Sequence, residues 1–400
     1  MEESIQEFTF ESYDAEISEK QLASLEKFMV QAICSTPEFT DLFDDAKCIR
    51  LFYNEKDNRT IYYVFNAHDS VTGRNIIVKA TNPNGKDFNK NMKDWLIWEA
   101  SILQILKNKK RIQQLCTPLK SIPVQMKKDG VLYEFIIEVF SSYFLDVDVR
   151  KSFFADTNDK ISTCANRLNL FCSIISAVQT IHREGICHRD LKPENIMGTR
   201  NNGKCTAVLI DFGFALATEE IERKIRMLSP ELCKNNMYLA PEMYSNFETK
   251  WELAQSADIY ALGCMLFELL ERETFYTSFI KANDNYWLAG NNLWVGNEQF
   301  GGNYEKRLAA FHKSLDDFAP TIMIPRLSEN SFLPEHEKKE LQEIIDNMCA
   351  YDYRKRTKES ELDEVKEKLR RIIINLENRQ KWELYRKRKE IRRSKENNHA

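Results

Sequence analysis

An α+β fold is predicted, and three observations predict it. Short apolar or alternating runs separated by polar turns concentrate between residues 49 and 140, as in an antiparallel sheet. From residue 168 onward apolar residues recur at steps of three and four, first at Leu168, Phe171, Ile175, Val178 and Ile181. They do so again at Leu362, Val365, Leu369, Ile372 and Leu376, the spacing of helices that bury one face. At 400 residues the chain exceeds one ordinary domain and can bury a large core.

The elements follow in order. Residues 1–47 read as an acidic extension: 1–45 hold twelve Asp or Glu against two Lys. Leu22, Leu25, Phe28, Met29 and Ala32 fall on helical spacing there, so a regulatory helix is expected. Residues 49–53 and 61–65 read as strands joined by the polar turn Lys56-Asp57-Asn58-Arg59. The turn Val71-Thr72-Gly73-Arg74-Asn75 leads into a strand over 76–80 that carries Lys79. Trp95, Ile102, Leu103 and Leu106 mark an amphipathic helix with Glu99 on or beside its buried stripe, and a buried Lys79 ammonium needs such a carboxylate partner. Residues 131–140 read as a further strand. The apolar run 207–210 is a short buried strand that delivers Asp211 at its edge, and residues 258–263 open another apolar helix. Residues 283–304, rich in Asn, Gly and Trp, form an irregular insert whose Tyr286, Trp287, Trp294 and Phe300 offer a surface for a regulatory partner.

Charge and cysteine content narrow the function classes. A formal net charge of −4 gives no support to a dedicated nucleic-acid-binding protein. The one strongly basic stretch is 379–395, with nine Lys or Arg against two Glu. It reads as a solvated helix extension, with contact to a regulatory partner, nucleic acid or an anionic membrane as the alternatives. The ten cysteines form no Cys-x-x-Cys pair, which argues against a zinc site and for reduced thiols in a cytoplasmic or nuclear protein. No apolar run approaches the roughly 18 residues that span a bilayer, so no transmembrane segment is expected.

The chemistry is concentrated in three ordered motifs: His188-Arg189-Asp190-Leu191-Lys192-Pro193-Glu194-Asn195, then Asp211-Phe212-Gly213, then Ala240-Pro241-Glu242. An Asp can accept a hydroxyl proton, and a second Asp with an Asn can hold Mg²⁺ through hard oxygen ligands. Pro193 discourages a continuing helix and suits a tight loop. The three motifs, in this order, resemble the eukaryotic-type protein kinase family.

The resemblance implies a two-lobed kinase fold over 48–377. Its small β-rich N-lobe, with one helix, covers about 48–140 and its larger, mainly helical C-lobe about 141–377; a basic tail follows over 378–400. It implies catalytic roles for Asp190, Lys192 and Asn195, with Asn195 and Asp211 as metal ligands. Lys79, Glu99, Val64, Asp211 and the backbone from Glu138 to Phe140 would bind the nucleotide, with Ile137 as the gatekeeper. Lys192 tilts the expectation toward a serine/threonine kinase that uses ATP and Mg²⁺ on protein substrates. Arg189 resembles the arginine that pairs with a phosphorylated activation loop, for which Thr218 and Ser229 are the available hydroxyls. Asp258 resembles the helix aspartate that ties down the catalytic-loop backbone, and Arg356 the arginine that pairs with Glu242.

Two departures stand out. The glycine-rich loop is missing: its glycines should fall near Asp57, Arg59 and Tyr62, and only the following Val64 survives. Arg59 or Lys56 could replace the lost backbone donors, although a plain polar turn is the simpler reading. The threonine expected before Ala240 is replaced by Asn235. These departures keep open a pseudokinase, a nucleotide-sensing scaffold that binds partners and catalyses little.

Overall fold

The computed structural model describes residues 24–54, 59–82, 89–128, 131–154, 161–201, 204–230, 237–244, 247, 250–271, 273–283, 303–328 and 333–397. The chain divides into two compact units. One takes in Met1–Leu145, Asp211–Ala215 and Glu219–Glu231; the other takes in Asp146–Ile210, Leu216–Thr218 and Leu232–Ala400.

The first unit is built on a five-stranded sheet of β1 (Phe43–Asn54), β2 (Arg59–Asp69), β3 (Asn75–Thr81), β4 (Lys120–Lys128) and β5 (Val131–Tyr143), in the order β1-β2-β3-β5-β4. Every neighbouring pair is antiparallel. The β2–β3 turn closes because Asp69 Oδ1 accepts from Thr72 N (2.7 Å) and Thr72 Oγ1 (2.6 Å), and Gly73 adopts the φ of +67° that the turn requires.

Side chains alternate across the sheet with period two. One face carries Phe65, Val78, Ala80, Ile122, Ile137 and Val139 into a core with Met29 and Ile33 of helix α1 (Ser24–Ser35) and Phe39 of α2 (Pro37–Thr40). The opposite face carries the cross-strand row Val64, Lys79 and Phe140. Helix α3 (Asn89–Ile105) holds Glu99 against Lys79 of that row.

Two expectations change here. The boundary drawn at 47/48 falls inside β1, and the acidic extension is partly core. Met29 and Ala32 are buried while Phe28 stays exposed; Leu22 lies outside the described residues. Ile137 points into the α1 core, away from the Lys79 face, so it is not placed as a gatekeeper. A one-residue difference along a strand moves a side chain to the other face.

The second unit is mainly helical. Its chain runs through β6 (Val147–Asp148), α4 (Ile161–Arg183), β7 (Ile186–Cys187), β8 (Ile196–Asn201), β9 (Lys204–Leu209) and β10 (Leu216–Ala217). Helix α5 (Glu219–Ile225) belongs to the first unit. Then follow α6 (Pro241–Tyr244), α7 (Trp251–Leu270), α8 (Phe275–Ala282), α9 (Tyr304–Phe318), α10 (Glu335–Met348) and α11 (Leu362–Asn397). Strands β6, β8 and β9 form a small sheet, and β7 pairs with β10.

Helix α7 is buried from Ala257 to Leu269 without a break. By length and composition it is apolar enough to cross a bilayer, but it is the core helix of this unit. Helix α11 packs on α4 through its buried Leu362, Leu369, Ile372 and Leu376. It runs unbroken past the boundary drawn at 377/378, and residues 381–390 are exposed all round. Of the expected insert, 284–302 lie outside the described residues.

Arg356 holds the end of the unit together. Its guanidinium lies between both oxygens of Glu242, with both side chains fully buried. It also donates to Ser256 O (2.9 Å) and Ala350 O (3.0 Å). A buried ion pair is tolerated when the remaining donors are satisfied in this way.

Gly263 lets α7 approach α10 closely. A Cβ there would lie 2.5 Å from Cys349 Sγ and 2.8 Å from Met348 Cβ. Gly263→Ala is therefore expected to lower stability by about 1–3 kcal/mol, read as a lower midpoint in denaturant or thermal unfolding. An unchanged midpoint would show that the helices part at no cost.

Candidate active site

In the first unit the central strand β3 presents Lys79, and its Nζ lies 2.8 Å from both Glu99 Oε1 and Oε2. The same ammonium lies 3.5 Å from Asp211 Oδ1. Glu99 is almost fully buried on α3 between Trp98 and Ala100, so its position is set by helix packing. Burial pulls the Lys79 ammonium down, but the Asp211 and Glu99 carboxylates outweigh it and its pKa ends up raised. The Asp211 to Ala215 segment is fastened to α3 at two points. Trp98 Nε1 donates to Ala215 O (3.0 Å), and the Trp95 ring meets Phe214 edge-on at 5.1 Å. Asp211 itself adopts φ +63°, a left-handed conformation that Asp tolerates better than most residues.

The Tyr62 ring stands 5.4 Å from Lys79 Nζ. It occupies the position at which the family resemblance called for a glycine. Lys56 and Asp57 lie outside the described residues, as does the Arg59 side chain.

Glu138 and Phe140 do not offer the backbone expected of them. The Glu138 N–H donates to Thr81 Oγ1 (2.9 Å), and its carboxylate accepts from Ser121 Oγ (2.7 Å). Val139 pairs with Ala80 on one side and Lys120 on the other, and Phe140 pairs with Lys79 in mid-sheet. Strand β5 continues to Tyr143, and the chain leaves this unit only after Leu145. Residues 138–140 are thus held within the sheet.

In the second unit β7 leads directly into the loop of the first motif. Asp258, fully buried on α7, accepts from His188 N (2.7 Å) and Arg189 N (2.8 Å). This pins the loop backbone while Arg189 is at φ +61°, a strained value that persists where the surroundings over-determine it. Pro193 starts the 3₁₀ turn Pro193–Asn195, and the turn brings Asn195 back onto Asp190. Asn195 Nδ2 donates to Asp190 Oδ2 (2.8 Å) and to Asp190 O (2.7 Å). Lys192 Nζ lies 3.0 Å from Asp190 Oδ2.

With both amide hydrogens so used, Asn195 Oδ1 is buried and accepts no hydrogen bond among the described residues. A buried amide oxygen of this kind suits a hard divalent cation, so the donor set fits Mg²⁺. At the end of β9, Ile210 N donates to Asn195 O (3.1 Å) and His188 Nε2 lies 3.0 Å from Ile210 O. Asp211 is the next residue in the chain.

Sequence reasoning missed three side chains. His182 lies on α4, at the end of the stripe that includes Val178 and Ile181, and its Nε2 bonds Asp258 (2.9 Å). Its Nδ1 bonds Glu359 (2.8 Å). Glu268 accepts from Tyr238 Oη (2.6 Å) and Phe275 N (2.9 Å). A histidine or glutamate inside an apolar helical stripe was the available signal for the first and third. Of the activation hydroxyls, Ser229 donates to Glu222 Oε1 (2.5 Å), and Thr218 N donates to Gly185 O (3.0 Å). Asn235 lies outside the described residues.

The first unit thus holds a strand lysine paired with a helix glutamate, and the second holds a loop on which Asp, Lys and Asn meet, each as the protein kinase resemblance leads one to expect. The family model described as Protein kinase domain matches residues 61–367, and the chain belongs to that family. Among its relatives, serine/threonine-protein kinase PknH of Mycobacterium bovis is 41% identical over 101 residues, 25% of this chain and 15% of that protein. Serine/threonine-protein kinase chk-2 of Caenorhabditis elegans is 39% identical over 95 residues, 24% of this chain and 18% of that one. Serine/threonine-protein kinase nekl-2 of the same organism is 34% identical over 112 residues, 26% and 27% respectively. The matched stretches thus span 27% or less of each of these relatives.

Burial pushes the Glu268 carboxyl up to about 7, against the pull of Tyr238 and Phe275. The folded state therefore holds a proton there between the unfolded value of 4.5 and about 7. Stability falls as pH rises through that window and levels off above it. The group's share is on the order of 3 kcal/mol. Glu268→Gln should flatten the decline in unfolding midpoint between pH 5 and pH 8; parallel pH curves for variant and wild type would contradict this.

Proposed function

We propose that the chain is an active serine/threonine protein kinase that transfers the γ-phosphate of ATP to protein hydroxyls with Mg²⁺. The observation that carries this reading is the meeting of Asp190, Lys192 and Asn195 at hydrogen-bond distance on a buried, pinned loop. Asp190 takes the proton of the attacking hydroxyl at its carboxylate. Lys192, beside Asp190, would offset charge that builds on the transferred group, and Lys79, braced by Glu99, would hold the nucleotide phosphates. Asn195 and Asp211 are the residues that would hold Mg²⁺, which would offset phosphate charge. The serine/threonine preference rests on Lys192 and on the names of the matched relatives.

The expected partners are protein substrates and ATP, with a regulatory partner at the 283–304 insert or at the basic helix end. Nucleic acid or an anionic membrane is the lesser expectation for residues 379–395. A reducing, cytoplasmic or nuclear setting is part of the same proposal; the nine described cysteines are all free thiols.

Transfer from labelled ATP to the protein itself and to a basic test substrate checks the reading. Asp190→Asn should lower kcat by about 10²–10⁴-fold while ATP still binds. A folded wild type that binds ATP and transfers nothing would overturn it.

One observation favours the second reading, a pseudokinase: the Tyr62 ring beside Lys79 competes with phosphate for the ammonium. Tyr62→Gly should then tighten ATP binding several-fold, measured by calorimetry. If neither wild type nor the variant binds ATP, the scaffold reading stands.

A further inference from the structure

The catalytic-loop backbone hangs on one buried carboxylate, and that carboxylate is held from behind. Asp258 Oδ1 accepts from Arg189 N, and Oδ2 accepts from both His188 N and His182 Nε2. The second nitrogen of the same ring, Nδ1, lies 2.8 Å from Glu359 Oε2. Glu359 belongs to a 3₁₀ turn, Glu359–Glu361, that lies three residues past Arg356 and leads into α11.

A neutral imidazole has one donor and one acceptor, and an ionised carboxylate only accepts. With a carboxylate oxygen at each nitrogen, both nitrogens must donate, so the ring is an imidazolium clamped between two anions. We propose that Glu359 is a positioning residue: through His182 it fixes the Asp258 carboxylate, and with it the loop that carries Asp190. Because the loop's purpose is the transfer reaction, the proposal rests on the functional reading above.

The surroundings of His182 support it. Its side chain is 1% exposed, while that of Glu359 is 25% exposed, so solvent reaches the Glu359 end of the clamp. The facing groups are Asp258 on α7, Glu359 on the turn and Cys187 on β7, with the Trp251 ring edge-on at 6.5 Å. Burial alone pulls the imidazole down, yet its pKa ends well above 6.5. Burial also pushes Cys187 up to about 11, so it is a neutral thiol while His182 is charged. Cys187 and the hydrogen bonds to Asp258 and Glu359 together outweigh burial and favour the protonated ring. The same geometry argues against a metal here: His182, Cys187 and Asp258 are close enough to share an ion, but both ring nitrogens and both Asp258 oxygens are already used in hydrogen bonds.

A group whose pKa is raised by folding contributes stability below its unfolded pKa and loses it as pH rises through the folded one. The clamp therefore loosens on the alkaline side, and it loosens at lower pH when one carboxylate is removed.

The test is E359Q in the full chain, beside E361Q on the same turn, which accepts from Lys358 N (2.7 Å). The chain has six histidines, and ring-nitrogen shifts of labelled histidine follow His182, while hydrogen exchange follows the His188 and Arg189 amides. E359Q should lower the His182 pKa by about one to three units. Between the two pKa values those amides should exchange at least about tenfold faster, in proportion to the lost protonation. The alkaline limb of kcat should move down by the same amount with KM for ATP unchanged, and E361Q should change none of these. An unmoved titration, or a moved titration with unchanged amide exchange or an unmoved kcat limb, overturns the proposal, as do equal effects of E361Q. If wild type transfers no phosphate while titration and exchange respond as stated, the catalytic reading falls and the clamp stands.

Discussion

The loop that carries Asp190 depends on one buried carboxylate. Asp258 is 1% exposed, and an ion taken out of water costs several kcal/mol unless its lone pairs are filled. Two loop amides and an imidazole fill them. Each partner gains in turn: the amides of His188 and Arg189 would otherwise be buried donors, and the left-handed Arg189 is held against its strain. The loop can then turn at Pro193 and bring Asn195 onto Asp190, with Ile210 N bonded to Asn195 O.

The first unit solves the same problem with the opposite sign. Lys79 is a buried cation on a central strand, and Glu99 and Asp211 supply the anions. The sheet fixes one partner and helix packing fixes the other, so the pair is set before any ligand arrives. Such preorganisation is the main contribution a protein can make to phosphoryl transfer, where little covalent work is needed. Arg356 and Glu242 show the purely structural use of the device: fully buried, bonded to main-chain oxygens as well, and so suited to hold elements together.

Much of this was legible in the sequence. The motif residues Asp190, Lys192 and Asn195 meet, and Lys79 finds Glu99, because contiguous motifs and strand or helix period carry their own geometry. What the sequence left open depends on packing across distant elements. The strand holding Ile137, Glu138 and Phe140 was recognised, but which face each residue takes follows from pairing with β3, and β5 runs on to Tyr143. Phe28, Met29 and Ala32 had helical spacing, yet nothing local showed that α1 would cap a sheet face. His182 and Glu359 are 177 residues apart, and no local pattern joins them.

The departures from the family fall on the grip of substrate rather than on the chemistry. The Lys79–Glu99 pair is largely buried, and loss of one partner of such a pair costs about 3–5 kcal/mol. The missing glycines and Tyr62 touch only how phosphate is received. A cation–π contact such as that of Tyr62 with Lys79 amounts to about 0.5–2 kcal/mol, so displacing it weakens a ligand by about two- to thirtyfold. A triphosphate brings several negative charges to the same ammonium, and the Glu99 contact need not break to admit them. On the proposed reading, an obstruction of that size would act on the affinity for nucleotide and leave the transfer step proposed for Asp190 and Lys192 largely untouched.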